Sequence, residues 1–459
     1  MLGRVVVGWA ALGVTLTGAT QLRMEGLPLG PGEALLAFWM GFVAFCLLRK
    51  VPFGYSGAFR PFATFWLIAA VLLGAGSLVS VGFDRQHGPT AGHDALAFAF
   101  VAPLTCFLAM RVGDISDEQY YLRLARATFF AISAMGLLLL TASLATSQLG
   151  PIDFWYGRGT RFRGWSENPN QLAMFMVPMP FLGWYLLQRA QGLPRRLLDF
   201  LAISVCMAVG LATDSDALKV AWAGAAGLVG IWLWCRLLVR GRGNFLQMAI
   251  GCFVVPVLVL TFMGGLGDRL VAQFVEISEQ VYEKGDRGQI GMMVLMNGLE
   301  AIRHSPFVGW GPGAYSGIYR SFDGFEAHNT LVDWGMSTGV LGMLLFLGLL
   351  FWCTVRVIRS GSPWLLGALV AIVSDTLFGY SLRHPMFWLM LVLIAALPEP
   401  TARRTASSAR LPRKGTMSAP ARPAYGLTMI DPGTSHRLRR QECDERGAGQ
   451  ERVVQSIER

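Results

Sequence analysis

The stretch FEAHNTLVDWGMSTGVLGMLLFLGLLFWC, residues 325–353, sets a group of polar side chains against a long apolar run. From Thr330 to Cys353 the only charged residue is Asp333. A helix needs about 20 predominantly apolar residues to cross a bilayer, so the run reads as a membrane span. Glu326 and His328 stand directly before it, and Asn329 and Asp333 occupy its first turns. Asn329, Asp333 and Ser337 recur every four residues, which puts them on one helix face. Ionisable groups at membrane depth are costly and face a cavity or a partner. The mouth of this helix is therefore a candidate site. The plainer alternative is an interfacial His328 and an Asn329 that only caps the helix.

The rest of the chain follows the same pattern. Of 459 residues, 53% are hydrophobic and 15% charged, against about a quarter charged in an ordinary soluble domain. Mean hydropathy is +0.47. The sequence predicts an all-α polytopic membrane protein of about twelve transmembrane helices. They lie near residues 5–22, 33–48, 62–82, 94–110, 124–146, 170–187, 197–213, 217–235, 245–265, 330–353, 363–380 and 384–397. The first has only Arg4 before it and no clear cleavage site, so it is read as a helix rather than a signal peptide. A large, partly helical loop, 266–329, separates helices 9 and 10. Residues 1–398 form the membrane domain. Residues 399–459, with 12 Lys/Arg, read as a disordered basic tail that can touch anionic lipid.

Charge placement gives the topology. Fifteen Lys/Arg cluster in one set of alternating short loops and seven in the other. The positive-inside rule makes the first set, and both termini, cytoplasmic. His87, His93, His304, His328 and His384 then fall on the outer side. The net charge of +10 is a topology signal and implies no nucleic-acid partner. The seven cysteines form no CxxC or Cys/His cluster, so neither a metal site, a disulfide framework nor a cofactor is expected.

Four further constellations carry polar chemistry. In GRGTRFRGWSENPNQLA, Arg158, Arg161 and Arg163 oppose the positive-inside trend, and Arg161 and Arg163 would share a side if extended. Guanidinium forks suit phosphate oxygens, while headgroup contact is the plainer use. Asn168-Pro169-Asn170 reads as a helix cap. In the long loop, Arg287 precedes an amphipathic stretch that Arg303 and His304 end; a cation there also suits a helix C-terminus. Gly309, Gly311 and Gly313 flank Trp310 and Pro312, a loop that allows close backbone approach to a ligand. At the junction TDSDALK, Asp216 and Lys219 can simply pair. In SDTLFGYSLRH, Asp375 lies in a span and Arg383 and His384 just outside it, suited to an ion pair or to catalysis.

Four of these pieces, in order, resemble the O-antigen ligase and polymerase superfamily of polysaccharide-assembly membrane proteins. RFRGWSENPNQLA resembles that family's Asn-Pro-Asn segment. DRGQIGMMVLMNGLEAIRHSPFVGWGPGAY resembles its large periplasmic loop. In AHNTLVDWGMSTGVLG, His328, Asn329, Gly339 and Gly342 match the ligase pattern, and RHPMFW resembles the closing segment. The resemblance covers about 150–400 and implies an inverting, metal-independent, GT-C-like glycosyltransferase of a bacterial inner membrane. Such an enzyme moves a glycan from a polyprenyl-diphosphate donor to a hydroxyl of lipid A-core or a growing glycan at the periplasmic face. It implies Arg287 on the diphosphate and His328 at the reacting centre. Arg161, Arg163, Lys219, Arg303, Asn329 and Asp333 are the further substrate-binding candidates. The chemistry agrees: a sugar diphosphate leaves readily and needs cations where charge develops, and a neutral imidazole can take the acceptor proton. One departure is plain. Many relatives carry Ser-Arg-Gly where this chain has Ser215-Asp216-Ala217, so a second phosphate arginine is absent there, and Lys219 or Arg161 and Arg163 would have to replace it. The rival expectations are a membrane solute transporter, against which no inverted repeat or broken-helix pair is evident in the sequence, and a non-catalytic assembly partner.

Overall fold

A computed structural model of the chain describes residues 2–23, 29–83, 88–157, 159–239, 288–314 and 326–397. The expected span 245–265, Arg158, Arg287, the front of the long loop and the tail 399–459 lie outside the described residues. The chain divides into two units, residues 1–402 and 403–459, and the fold that follows is that of the first.

It is mostly helical. In chain order the helices are α1 Leu2–Leu16, α2 Pro31–Leu48, α3 Phe59–Gly82, α4 Gly88–Leu108, α5 Asp117–Ala145, α6 Pro169–Met176, α7 Met179–Leu187, α8 Leu193–Ala212, α9 Asp216–Val239, α10 Gly288–His304, α11 Thr330–Ser360, α12 Pro363–Asp375 and α13 Pro385–Ala396. Six of them, α2, α3, α4, α5, α9 and α11, are long and apolar enough to cross a membrane. Helices α1, α12 and α13 are apolar but shorter. Helix α10, inside the expected outer loop, is amphipathic and carries Arg303 and His304 in its last turn.

The starts follow local chemistry. Asn168, Ser362 and His384 each take an extended backbone before Pro169, Pro363 and Pro385 at the first helical position. Proline there loses no needed donor and its fixed φ suits the helix. The Asn168 and Ser362 side chains accept from backbone N–H groups of the first turn.

Helix α13 is the axis of the bundle. Every residue from Pro385 to Ala395 is buried, as expected of a helix apolar on all sides. Phe62, Phe65 and Trp66 of α3 pack their rings against its Trp388. Around it, α1 packs on α2 and α5, α3 on α11, α7 on α8, and α9 on α12. The outer faces leave Phe38, Leu67, Leu78, Leu144 and Phe351 exposed. So much exposed apolar surface suits lipid rather than water.

Helix α11 is broken. Gly339 has φ 67° and ψ −170°, a conformation essentially confined to glycine. The break frees backbone groups that lipid could not satisfy. The segment 306–311 satisfies them: Trp310 N–H donates to Met336 O at 2.8 Å, Gly311 N–H to Ser337 O at 2.9 Å, and Val340 N–H to Pro306 O at 2.7 Å. Gly309, Gly311 and Gly313 all have positive φ. A Cβ on them would sit within 2.5 Å of the backbone of Ser337, Ser77 and Ala91 respectively. The expected close approach is therefore real, but its partner is the protein's own α11, α3 and α4, not a ligand.

Candidate functional site

A cavity of about 320 Å³ opens where several helix ends meet, a size at the low end of the ~300–1,000 Å³ usual for ligand pockets. The starts of α2, α4, α6, α9, α11 and α13 and the end of α12 reach it, through Glu33, His93, Asn170, Ala217, His328, Pro385 and Asp375. The Arg/Lys-rich turns Arg49–Lys50 and Arg356–Arg359 sit at the other ends of α2 and α11. The cavity thus belongs to the face that the charge pattern assigns to the outside.

His328 is held at this cavity by the turn before α11. It has φ 51°, uncommon for a residue with a Cβ. The Asp333 carboxylate fixes that turn, accepting from Ala327 N–H at 2.7 Å and Asn329 N–H at 3.2 Å, one on each side of His328. Asn329 caps the helix, accepting from Leu331 and Val332 N–H, and donates to Leu377 O at 3.3 Å. Thr330 and Ser381 tie the same turn to the loop between α12 and α13. Asp333 is buried and Ser337 donates to its carbonyl. Asn329 and Asp333 of that one-face row are therefore spent on the turn that carries His328, Ser337 bonds back within the helix, and of that row none lines the cavity.

The cations divide differently from the sequence expectation. Arg383 and Arg23 line the cavity. Arg383 lies between Asp94 and Glu326, with its guanidinium 4.6 Å from the Tyr380 ring centre. Asp94 also accepts from Gly313 N–H at 3.1 Å, and His93 Nδ1 lies 3.2 Å from it. Arg23 pairs with Glu33 at 3.0 Å, and Glu33 in turn accepts from Gly30 N–H and caps α2. Arg161 does not line the cavity but donates to Asn170 Oδ1 of its lining at 2.8 Å, and to Thr213 O at 3.1 Å. Arg163 does not share its side. It donates to Asp153 O, Asp153 Oδ2 and Glu167 O, and so closes the loop 147–168. Lys219 binds Asp214 at 2.5 Å and Asp216 at 3.2 Å. The hydrogen bond from Lys219 holds the Asp214 carboxyl below its ordinary range. Arg303 is exposed at the end of α10, and Arg287 lies outside the described residues.

Arg163→Ala is thus a stability variant. It removes three hydrogen bonds at the surface, and a loss of roughly 1–2 kcal/mol is expected. Limited proteolysis should cut within 150–168 more readily, and anion binding at the cavity should not change.

Asp94, His93, Arg23 and Glu33 are the site residues that sequence reasoning did not single out as such. Asp94 is one carboxylate at the head of an apolar run, and its partner Arg383 is 289 residues away. The usable signal was the cost of a charge at membrane depth, the same argument that singled out Asp333. Asp375 also faces the cavity, and its backbone carbonyl accepts from Phe378 N–H at 3.0 Å.

What the arrangement can do follows from these positions. An accessible imidazole and two guanidiniums line one pocket at an end of an apolar bundle. It can take a proton from, or orient, a hydroxyl, while the guanidiniums hold an oxyanion. No protein-family model matches this chain, and no curated protein matches it.

Proposed function

We propose that this chain is a membrane glycosyltransferase of the O-antigen ligase or polymerase kind. It would transfer a glycan from a polyprenyl-diphosphate donor to an acceptor hydroxyl at the outer face of a bacterial inner membrane. The observation that carries the reading is His328, fixed at positive φ by the Asp333 carboxylate and opening on a cavity that Arg383 and Arg23 line. His328 takes or orients the acceptor proton. The guanidiniums stabilise the diphosphate as it leaves. In this reading Arg383 and Arg23 join Arg161 and Arg287 as the cation set and stand in for the arginine missing at 216, because they line the cavity and Lys219 does not. The twelve-span topology with a large periplasmic loop belongs to the same proposal.

His328→Ala, expressed at the normal level, should abolish the surface polysaccharide or shift its chain length. Normal amount and length would remove His328 from the chemistry. The deletion phenotype separates the two activities: a polymerase mutant still displays a single repeat unit, and a ligase mutant shows bare core with accumulated lipid-linked glycan.

One observation speaks for a transporter: α11 is discontinuous, which the sequence had not suggested, and transporters bind substrates at broken helices. The hydrogen bonds at the break speak against that use: its Met336 and Ser337 carbonyls accept from, and its Val340 N–H donates to, the 306–311 segment. Proteoliposomes should accordingly show glycan transfer and no solute uptake.

A further inference from the structure

The cavity poses an electrostatic difficulty for any anionic ligand. Two guanidiniums, Arg23 and Arg383, and three carboxylates, Glu33, Glu326 and Asp375, line it. Asp94 adds a fourth carboxylate against Arg383. A phosphate entering this set as it stands meets more carboxylates than guanidiniums. Moving a carboxylate off a guanidinium lessens that opposition and frees a donor edge, and the structure distinguishes which carboxylate can move.

Glu33 is held twice, by Arg23 and by Gly30 N–H, and it caps α2. Asp94 is held by Arg383 and Gly313 N–H, lies against His93 and has a side chain only 6% exposed. Asp375 touches neither arginine. Glu326 differs from all three. Its side chain is 38% exposed, and among the described residues its one polar contact is Arg383. It can swing into solvent without breaking any other described bond. Arg383 would stay behind. Its partner Asp94 is buried and its guanidinium lies near the Tyr380 ring, so the fork keeps its orientation while the Glu326 edge becomes free.

We propose that Arg383 is an anion-binding residue of the cavity, and that Glu326 holds its place until a diphosphate-class anion displaces it. The exchange has a physical direction. A phosphate group offers more acceptor oxygens and more negative charge than a carboxylate, and a guanidinium edge binds it bidentately. Expelling Glu326 also removes one negative charge from the cavity. The ligand class rests on the glycosyltransfer reading, whereas the Arg383–Glu326 exchange can be tested without it.

The test is calorimetric titration of the full-length protein in lipid nanodiscs with inorganic pyrophosphate at low ionic strength. Glu326→Gln removes the competing charge and should bind pyrophosphate about tenfold more tightly than the wild type. Adding Arg383→Lys keeps a cation beside Asp94, so the fold retains its ion pair, but loses the planar fork and should cancel the gain. Equal affinity in the wild type and Glu326→Gln would overturn the proposal. So would a gain that survives Arg383→Lys. Competition by polyprenyl diphosphate in the nanodisc identifies the lipid-linked donor as the source of the anion; its absence identifies a free phosphate, and the Arg383 site stands in both cases. Tighter pyrophosphate binding without any glycan transfer would keep the site and remove the transferase reading. Transfer with unchanged pyrophosphate affinity would do the opposite.

Discussion

Gly339→Ala is expected to destabilise the protein by more than about 3 kcal/mol and leave little folded material. Two causes add. The backbone at φ 67°, ψ −170° is a conformation that a residue with a Cβ avoids. A Cβ there would also lie 2.3 Å from the Phe307 carbonyl carbon and 2.4 Å from its oxygen. Those are backbone atoms of the segment that satisfies the broken helix, so they cannot yield without losing the Pro306–Val340 hydrogen bond. Gly335→Ala is the control. Its Cβ would meet Met343 Sδ at 2.6 Å and Ile302 Cδ1 at 2.8 Å, the far ends of flexible side chains, at a helical backbone position. It should be distinctly milder. Thermal melting of both variants in detergent decides the matter. Similar losses for the two would mean that the break in α11 is not held as described.

Arg383→Ala should cost roughly 3–5 kcal/mol and abolish donor turnover, because it strands the buried Asp94 carboxylate without its cation. The sign of a second variant makes this specific. Arg383→Ala combined with Asp94→Ala removes both charges, and it should be more stable than Arg383→Ala alone. It should nonetheless stay inactive, since the cavity then lacks the Arg383 guanidinium. Melting temperatures and donor-lipid turnover measured on the same preparations separate the two effects. A double variant no more stable than the single one would show that Asp94 is not held by Arg383. Restored turnover in it would remove Arg383 from the site.

The parts that sequence reading reached are those whose cause is local. Apolar runs marked the helices. Asn168-Pro169 and Ser362-Pro363 marked starts, because cap and proline act within one turn. Asn329 was legible both as a cap and as a neighbour of His328, and it is both. The Asp216–Lys219 pair was legible from its spacing, and the structure adds Asp214. What stayed hidden depends on contacts distant in sequence. The ligase-like pattern set Gly339 and Gly342 apart from Gly335 and Gly348, but nothing in VDWGMSTGVLGMLLFLG marks Gly339 as the break until the segment 306–311 is laid across it. The same segment explains why Gly309, Gly311 and Gly313 suggested a ligand: close backbone approach has one sequence signature whether the partner is a phosphate or another helix. Arg161 and Arg163 looked equivalent two residues apart. They diverge in their partners: beyond the short antiparallel pairing of Trp155–Tyr156 with Arg161–Phe162, Arg161 reaches Thr213 and Asn170, whereas Arg163 turns back onto Asp153. Arg383 and Asp94 were each visible as an isolated charge near an apolar run, and only the fold makes them a pair.

We propose that the cavity lined by His328, Arg23 and Arg383 transfers a glycan. The most direct measurement is single-turnover transfer by the purified protein in nanodiscs. The substrates are a polyprenyl-diphosphate-linked glycan and a hydroxyl-bearing glycolipid acceptor, with wild type and His328→Ala compared. The wild type should release polyprenyl diphosphate and form the extended acceptor, and His328→Ala should slow this by about 100-fold or more while still binding pyrophosphate. Equal transfer rates in the two proteins, or no transfer by a folded wild type that still takes up its donor, would contradict it.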